Sequence, residues 1–353
     1  MIWYNHKSNN SNRKEREDVM NGYRKSDAIS QEEFTFAQGV IGKLGDYFAG
    51  RVVGQEELKK SLITAIVADG HILIESVPGL AKTTAAKAIS DAVGGKFSRI
   101  QCTPDLLPSD IIGTQIYHQE TGKFETIFGP VFANFVLLDE VNRSSAKTQS
   151  AMLEAMQERQ VTIGGITYHM PQDIFIVIAT QNPIEQEGTY PLSEAQTDRF
   201  MIKETITYPS AQEEIIIMNK IEDGSIAKKE PPVLTLEDVD KVQNIADKVY
   251  VDDAVKKYIA DIVTATRQPG KHIDKKFASY IRIGASPRAT INFLKIAKAS
   301  ALMNGRTYAV PEDVKNMRHQ VLRHRIGLNY AAVADNVSVE TLINMLVNSV
   351  PTP

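Results

Sequence analysis

Short apolar runs rich in β-branched residues alternate with helical stretches between residues 71 and 206, and this alternation constrains the fold more than any other feature. Such runs are typical of strands that are buried on both faces of a parallel sheet. The runs cover residues 71–75, 97–101, 135–138, 174–179 and 201–206, and the helical stretches between them include 81–93 and 145–158. The pattern predicts an α/β domain with helices on both sides of a mostly parallel, five-stranded sheet.

Two hairpin signals interrupt this domain. In the stronger one, Gly164 and Gly165 separate two short β-forming runs between residues 161 and 168, and consecutive glycines suit the positive φ angles of a tight turn. The weaker signal spans residues 114–126 around Gly122. We therefore predict two β-hairpins as insertions in the α/β domain.

From residue 209 onward the pattern is almost entirely helical, and an apolar i, i+4 stripe marks one helix of this part. The stripe consists of Ala254, Val255, Tyr258, Ile259, Ile262 and Val263. A length of 353 residues suits two domains. We predict an extension over residues 1–31, an α/β domain over 32–207 and an all-α domain over 208–353.

Composition narrows the class of protein. Hydrophobic residues make up 42% of the chain and charged residues 24%, close to the averages for soluble globular proteins. Residues 1–31 are polar and offer no apolar periodicity, so we expect them to be flexible. The chain has no run of about 20 apolar residues and no secretion signal, and its single cysteine, Cys102, cannot form an intrachain disulfide. These features predict a cytoplasmic protein without a membrane span, in which Cys102 is a buried core residue.

A candidate phosphate-binding loop follows the first apolar run. The sequence ESVPGLAKTT (75–84) leads from that run into a helix and has the spacing G-x-x-x-x-G-K-[ST], although Ser76 and Ala81 replace both outer glycines. Such a loop turns backbone amides toward phosphate oxygens, places a lysine near the outer phosphates and offers a hydroxyl to Mg²⁺. Lys82 and Thr83 are the candidates for the last two roles. The alternative is an ordinary loop with an exposed lysine at a helix start.

Two acidic residues, Asp139 and Glu140, follow the third apolar run. Ligands bind at the carboxyl ends of strands in open α/β sheets. Asp139 suits a magnesium ion held largely through water, and Glu140 suits the orientation and polarisation of an attacking water. The alternative is that the pair forms a stabilising charge cluster at a helix N-terminus.

Three further polar residues are candidates for the same chemistry. Asn182 follows the fourth apolar run, where its amide could lie between a γ-phosphate and water. Arg199 precedes the fifth run, and a guanidinium there can stabilise charge that develops on a transferred phosphoryl group. Its alternative role is a surface ion pair with Asp198 or Glu194. Arg288 opens a helix of the second domain, from which it could report the state of a nucleotide.

In this order and at this spacing, the motifs resemble those of the AAA+ ATPases, and the sequences of the individual motifs are similar to those of the MoxR family over residues 37–328. The most specific pieces are VPGLAKT (77–83), DLLPSD (105–110), FGPV (128–131), DEVNR (139–143), EAQTDRF (194–200) and GASPR (284–288). The resemblance implies an αβα core with a helix-2 insert and a hairpin before sensor 1, followed by an all-α lid domain. It also implies ATP or ADP, with Mg²⁺, as cofactors.

The resemblance assigns roles position by position. Glu140 and Asp139 belong to Walker B, Asn182 is sensor 1, Arg199 is an arginine finger that acts on a neighbouring subunit, and Arg288 is a sensor 2 residue that acts within its own subunit. The resemblance therefore implies four catalytic residues: Glu140, Asn182, Arg199 and Arg288. Asp139 belongs instead to the residues that bind the cofactor. The full cofactor-binding set is Val53, Gly54, Pro78, Gly79, Leu80, Ala81, Lys82, Thr83, Thr84 and Asp139, of which Thr83 and Asp139 hold magnesium.

One position departs from the family pattern, because Ser76 stands where the loop normally begins with glycine. If this position needs a positive φ angle, serine would cost on the order of 1 to 2 kcal/mol of backbone strain. Gly79, Lys82 and both acids are kept, so we expect nucleotide binding to be weakened rather than abolished.

The leading hypothesis is an ATP-hydrolysing remodelling machine whose subunits form a ring, expected as a hexamer. The resemblance implies a protein client, commonly one with a von Willebrand factor A domain, and in some cases metal insertion. One alternative is a nucleotide-binding regulatory scaffold with little turnover. Another is a nucleic-acid motor, since such motors share this architecture. The net charge of −3 and a hairpin tip without Lys or Arg argue against nucleic acid as a partner.

Overall fold

The computed structural model describes residues 28–77, 79–170, 174–183, 189–224 and 230–353. Its central sheet consists of β1 (Ile72–Glu75), β2 (Phe97–Gln101), β5 (Phe135–Asp139), β8 (Ile176–Gln181) and β9 (Ile202–Thr205). The strands are all parallel and lie in the order β2-β5-β8-β1-β9. The three central strands are almost completely buried, which is why each of them is a continuous apolar run. The predicted parallel sheet is confirmed.

Helices cover both faces of this sheet, as predicted. Helices α1 (Gln31–Arg51), α2 (Glu56–Val67) and α3 (Lys82–Val93) pack on one face, and α5 (Ala146–Glu158) packs on the other. Side chains of β1 alternate between the two apolar clusters, since Ile72 and Ile74 belong to the first and Leu73 to the second.

Both predicted hairpins are present. One pairs β3 (Gly113–His118) with β4 (Lys123–Phe128) and follows the short helix α4 (Pro108–Ile112); the other pairs β6 (Gln160–Ile163) with β7 (Ile166–His169). Gly164 and Gly165 have φ angles of 58° and 82°, as the turn requires. The Thr126 and Tyr168 hydroxyls are 2.9 Å apart, so the two hairpins contact each other.

The part of the chain after β9 is mainly helical, and most of its longer helices share an apolar cluster with the sheet. The short helix α6 (Glu194–Thr197) precedes β9, and the helices after β9 are α7 (Ala211–Glu222), α8 (Leu236–Asp247), α9 (Asp253–Arg267), α10 (Lys275–Ala278), α11 (Pro287–Met303), α12 (Pro311–Asn316), α13 (Arg318–Leu322), α14 (Tyr330–Ala334) and α15 (Val339–Ser349). A two-stranded antiparallel ribbon, β10 (Ile281–Ile283) with β11 (Gly327–Leu328), was not predicted. The predicted stripe of α9 is buried except for Ala254, which lies in the exposed first turn.

The predicted domain boundaries at residues 31/32 and 207/208 stay predictions. Residues 1–27 of the predicted extension lie outside the described residues, and Ser30 caps α1, its hydroxyl accepting the Glu33 N–H at 3.1 Å. α1 packs against α3 beside the sheet and against α8 and α11 of the helical part. Within the described part of the chain, none of the helices combines the length and apolarity that crossing a bilayer demands.

Candidate functional site

The loop between β1 and α3 has the geometry of an anion cradle. Gly79 has a φ angle of 86°, and the space beside its Cα is open. Ala81, at the N-cap of α3, also has a left-handed backbone, with φ 51°. No side chain caps α3, and its first turn contains no acidic residue, so the positive end of the helix faces the loop. Lys82 is buried at the first position of the helix, and its Nζ donates to the Ser76 carbonyl oxygen at 3.3 Å.

Backbone strain in this loop falls on Ala81 and not on Ser76. Ser76 is absent from the residues with positive φ among those the structure describes. It is buried, its N–H donates to the Gln181 carbonyl oxygen at 3.2 Å, and its hydroxyl donates to the Val77 carbonyl oxygen at 3.1 Å. The condition under which serine would weaken binding is therefore not met at this position.

The other members of the predicted cofactor set lie in different surroundings. Leu80 is buried, Thr83 is half-buried and Thr84 is exposed at the start of α3, whereas Pro78 lies outside the described residues. The half-buried Val53 and Gly54 precede α2. Gly54, with φ 67°, lies so close to the Glu213 side chain in the first turn of α7 that a Cβ would collide with it. Nucleotide contact by these residues stays a prediction.

The two acids lie beside the same sheet edge as the loop. β5, β8 and β1 are parallel neighbours, so their carboxyl ends meet at one edge. Thr180 of β8 links the acids, because its hydroxyl donates to Asp139 Oδ1 at 2.7 Å and accepts the Glu140 N–H at 2.9 Å. Ser76, at the start of the loop, is bonded to Gln181, the next residue of β8. The structure therefore brings Lys82, Asp139 and Glu140 to one edge of the sheet.

Each acid has cationic or amide partners that the sequence did not indicate. Asp139 Oδ2 accepts from Arg99 Nη2 at 2.6 Å and from Arg99 Nε at 3.2 Å. Glu140 has a left-handed backbone, with φ 55°, and its Oε2 accepts from Gln101 at 3.1 Å and from Arg143 at 3.0 Å. Asp139 ends β5, and Glu140 is the N-cap of a one-turn 3₁₀ helix over Val141–Arg143, so the alternative of a charge cluster at a helix N-terminus stays open only for that single turn.

Asn182 directly follows β8 and is buried. It lines a cleft of about 540 Å³ together with Asn142, Gln181 and Lys203. Lys203 Nζ is 2.7 Å from Glu75 Oε2, which also accepts from the Gln181 amide. Asn182 thus lies at the carboxyl edge that carries the other candidates.

Arg199 and Arg288 lie together, away from that edge. Arg199 Nε and Arg288 Nη2 donate to the same oxygen, Gln157 Oε1, at 3.0 and 3.1 Å. Gln157 follows Met156, whose carbonyl oxygen contacts His71 just before β1 begins. The arginine pair is therefore near the amino end of β1, whereas the Lys82 loop follows its carboxyl end. The roles of Arg199 on a neighbouring subunit and of Arg288 within its own subunit stay predictions.

Asp198 joins the helical part of the chain to the segment that carries Arg199. It does not pair with Arg199; its Oδ1 accepts from Arg325 Nε at 2.8 Å, and its Oδ2 accepts from the Ser286 hydroxyl at 2.7 Å. Burial lowers the pKa of Arg325 to about 10, with the Asp198 carboxylate acting in the opposite direction, so the guanidinium stays charged at neutral pH. Glu194 pairs with Arg282 instead, so the predicted alternative for Arg199, an ion pair with Asp198 or Glu194, is wrong.

Two titratable side chains, His71 and Cys102, are buried in the protein interior. His71 Nδ1 accepts the Val177 N–H at 3.1 Å, so Nε2 carries the proton and donates to the Met156 carbonyl oxygen at 3.1 Å. Burial lowers the pKa of His71 to about 4 and raises the pKa of Cys102 to about 12. Cys102 is a buried core residue, as predicted. Among the residues that the structure describes, no cluster of three or more His, Cys, Asp or Glu could hold a metal on its own.

The donor set suits a magnesium-bound nucleotide. An uncapped helix N-terminus and a buried lysine provide for phosphate oxygens, and a hard carboxylate, Asp139, lies at the same edge for a hydrated Mg²⁺. One carboxylate with few other oxygen ligands is the arrangement that Mg²⁺ accepts when substrate phosphates and water complete its shell.

Comparisons with known proteins agree with this geometry. The ATPase family associated with various cellular activities (AAA) matches residues 71–202, and the AAA lid domain matches residues 275–345. The chain is 46% identical to chaperone MoxR1 of Mycobacterium tuberculosis over 86% of this chain and 79% of that protein. It is 40% identical to the uncharacterized protein YeaC of Bacillus subtilis over 89% of this chain and 95% of that one.

A solved structure from Cytophaga hutchinsonii has the same fold. It superposes with a TM-score of 0.85 at 45% identity and covers 92% of this chain and 98% of its own. Because the sheet, the lid and the sequence agreement extend over most of the chain, this protein belongs to the MoxR family of AAA+ ATPases.

Proposed function

We propose that this protein binds ATP with Mg²⁺ and hydrolyses the β–γ phosphoanhydride. The observation that carries the proposal is the convergence of the Lys82 loop, Asp139 and Glu140 on one edge of the sheet, with Thr180 bonded to both acids. A phosphate cradle beside two acids of this kind is the arrangement that positions a triphosphate and an attacking water.

Each residue has a defined task in this proposal. The amides at the start of α3 and Lys82 hold phosphate oxygens, and Thr83 and Asp139 hold the hydrated magnesium ion. Bound Mg²⁺ would neutralise charge on the phosphate oxygens. Glu140 accepts a hydrogen bond from the attacking water and polarises it, and Asn182 orients that water.

The Glu140 carboxylate has two side-chain partners in this structure, and both contact the same oxygen. Gln101 and Arg143 both donate to Glu140 Oε2. The backbone of Glu140 is left-handed, and its N–H donates to the Thr180 hydroxyl. This restraint also supports the second candidate, a regulatory scaffold with little turnover, in which Arg143 and Gln101 keep Glu140 away from water.

We further propose that the arginines come from a neighbouring subunit. Arg199 and Arg288 share Gln157 near the amino end of β1, so a second chain must bring them to the phosphates. A head-to-tail ring, expected as a hexamer, supplies one such pair to each nucleotide. Arg288 then acts with Arg199 and not on its own subunit's nucleotide.

A protein client is proposed as the target of the machine. The name of the relative chaperone MoxR1 supports a chaperone-like role, and a von Willebrand factor A domain or a metal-receiving partner remains the proposed client class. A nucleic-acid motor has less support: in the Gly113–Phe128 hairpin the His118 imidazole is 2.6 Å from Glu125, and glycines occupy the tip of the other hairpin.

The experiment compares ATP binding and phosphate release in four forms of the chain. Glu140→Gln should bind ATP as the unmodified protein does but release no phosphate, whereas Lys82→Ala should lose binding. Glu237→Gln, an exposed acid in the first turn of α8, is the matched control and should change neither. Unchanged turnover in Glu140→Gln would refute the proposed role, and binding without turnover in the unmodified protein would favour the scaffold.

A further inference from the structure

Arg99 holds the carboxylate that the proposed function gives to magnesium. Its Nη2 and Nε both donate to Asp139 Oδ2, at 2.6 and 3.2 Å, while Oδ1 is taken by the Thr180 hydroxyl. Both oxygens of Asp139 therefore have partners in this structure, and Oδ2 has a cation.

The two side chains differ sharply in exposure. Asp139 is nearly buried, with its side chain 10% exposed, whereas the Arg99 side chain is 49% exposed. Arg99 comes from β2, the edge strand of the sheet, two residues before the position opposite Asp139. A nearly buried carboxylate needs a partner of opposite charge, and an exposed guanidinium can leave for water at little cost.

We propose that Arg99 is an internal counter-cation that competes with the divalent metal for Asp139. This inference rests on the proposed function. A hydrated Mg²⁺ at Asp139 would donate hydrogen bonds from its waters to a carboxylate oxygen, and Oδ2, which accepts the two Arg99 N–H groups, is the oxygen that Thr180 does not hold. Metal arrival and the Arg99 contact therefore exclude each other, and the affinity for the metal is lower than Asp139 alone would give. Arg99 thereby sets the metal concentration at which the loaded site forms.

The Arg99–Asp139 contact does not join two elements that are otherwise separate. β2 and β5 are already paired over five residues, from Phe97–Phe135 to Gln101–Asp139, so their alignment does not need this contact. Of the two Asp139 oxygens the guanidinium contacts only Oδ2, which leaves the Thr180 contact intact when it moves, and its Nη2 also donates to Gln101 Oε1 at 3.0 Å.

The test measures Mn²⁺ binding to the ADP-saturated protein by electron paramagnetic resonance. Arg99→Gln should lower the free Mn²⁺ concentration at half-saturation about 3- to 10-fold, the range expected for a half-exposed, charge-assisted pair. Arg99→Lys keeps the charge but cannot make the two-pronged contact, so its value should lie between those of the other two proteins. Lys248→Gln removes one positive charge and a half-exposed pair with Glu33 elsewhere, and should leave Mn²⁺ binding unchanged.

The outcomes separate the two levels of the proposal. If Arg99→Gln binds Mn²⁺ no more tightly than the unmodified protein, the proposed competition is wrong. If Arg99→Lys and the unmodified protein reach half-saturation at the same Mn²⁺ concentration, the two-pronged contact has no role and the positive charge alone weakens metal binding. If the unmodified protein binds no ADP, the proposed function fails and the competition fails with it. Thermal unfolding gives a second readout. Without metal, Arg99→Gln should have a lower melting temperature than the unmodified protein. Addition of ADP with Mg²⁺ should raise the melting temperature of Arg99→Gln by more than it raises that of the unmodified protein.

Discussion

Replacing Asp198 with asparagine should destabilise this protein strongly, because it leaves a buried guanidinium without its carboxylate. The Arg325 side chain is 1% exposed and that of Asp198 is 12% exposed, and their N–O distance is 2.8 Å. Breaking such a pair by removing one partner costs about 3 to 5 kcal/mol. In the unmodified protein Arg325 is charged at pH 7, because its pKa is about 10 even though burial lowers it, and Asp198 is the group that acts against this lowering.

The size of the effect can be measured as a melting temperature. With an unfolding entropy of about 2.1 cal/mol/K per residue, that loss lowers the melting temperature by about 4 to 7 °C for a cooperatively unfolding chain of this length. The assay is differential scanning calorimetry at pH 7 and at fixed protein concentration.

A nearby pair offers a matched control. Glu194 lies four residues before Asp198 and pairs with Arg282, and both side chains of that pair are more than half exposed. Glu194→Gln should therefore lower the free energy of unfolding by no more than about 1 kcal/mol. A melting temperature for Asp198→Asn equal to that of Glu194→Gln would refute the assignment of Asp198 as the buried junction between the two parts of the chain.

Three further predictions follow from the same structure. Ala81→Gly should raise the free energy of unfolding in urea by about 0.5 to 1 kcal/mol, because glycine relieves the strain of the left-handed N-cap. Ala85→Gly inside α3 should instead lower the free energy of unfolding. If both variants are less stable than the unmodified protein, Ala81 is not strained. The folded pKa of His71 is depressed to about 4, so its contribution to stability is lost as the pH falls from about 6.5 to 4, by about 3 kcal/mol. His71→Gln should flatten that part of the stability curve, and parallel curves would argue against it. Arg288→Ala should lower kcat as Arg199→Ala does, and the double variant should lose little more; weakened nucleotide binding by dilute Arg288→Ala would instead place that residue in its own subunit's site.

Much of the fold follows from local sequence physics. The three central strands are predictable because burial on both faces demands continuous apolar residues, and the Gly164-Gly165 turn because two successive positive φ angles favour glycine. The ribbon of β10 and β11 is not predictable in this way, since strands of three and two residues leave no periodic signal.

The site is predictable only where its residues follow strands. Asp139 ends β5, Glu140 and Asn182 come directly after β5 and β8, and Lys82 opens the helix that follows the loop after β1; parallel topology brings such positions to one edge. The Arg99–Asp139 contact depends on β2 lying next to β5, which chain order alone does not state. Asp198–Arg325 and the shared Gln157 depend on how the helical part packs, so they become visible only in three dimensions.

The central claim is that each nucleotide is hydrolysed by the acids of one chain with the arginines of another, and mixing two inactive variants tests it most directly. Glu140→Gln keeps its arginines, and Arg199→Ala keeps its acids. When the two proteins are unfolded together and refolded at equal concentration, about a quarter of the interfaces in a randomly mixed ring combine an intact Glu140 with an intact Arg199. Phosphate release should return to about that fraction of the unmodified rate. Mixed rings that release no more phosphate than either variant alone would contradict the claim.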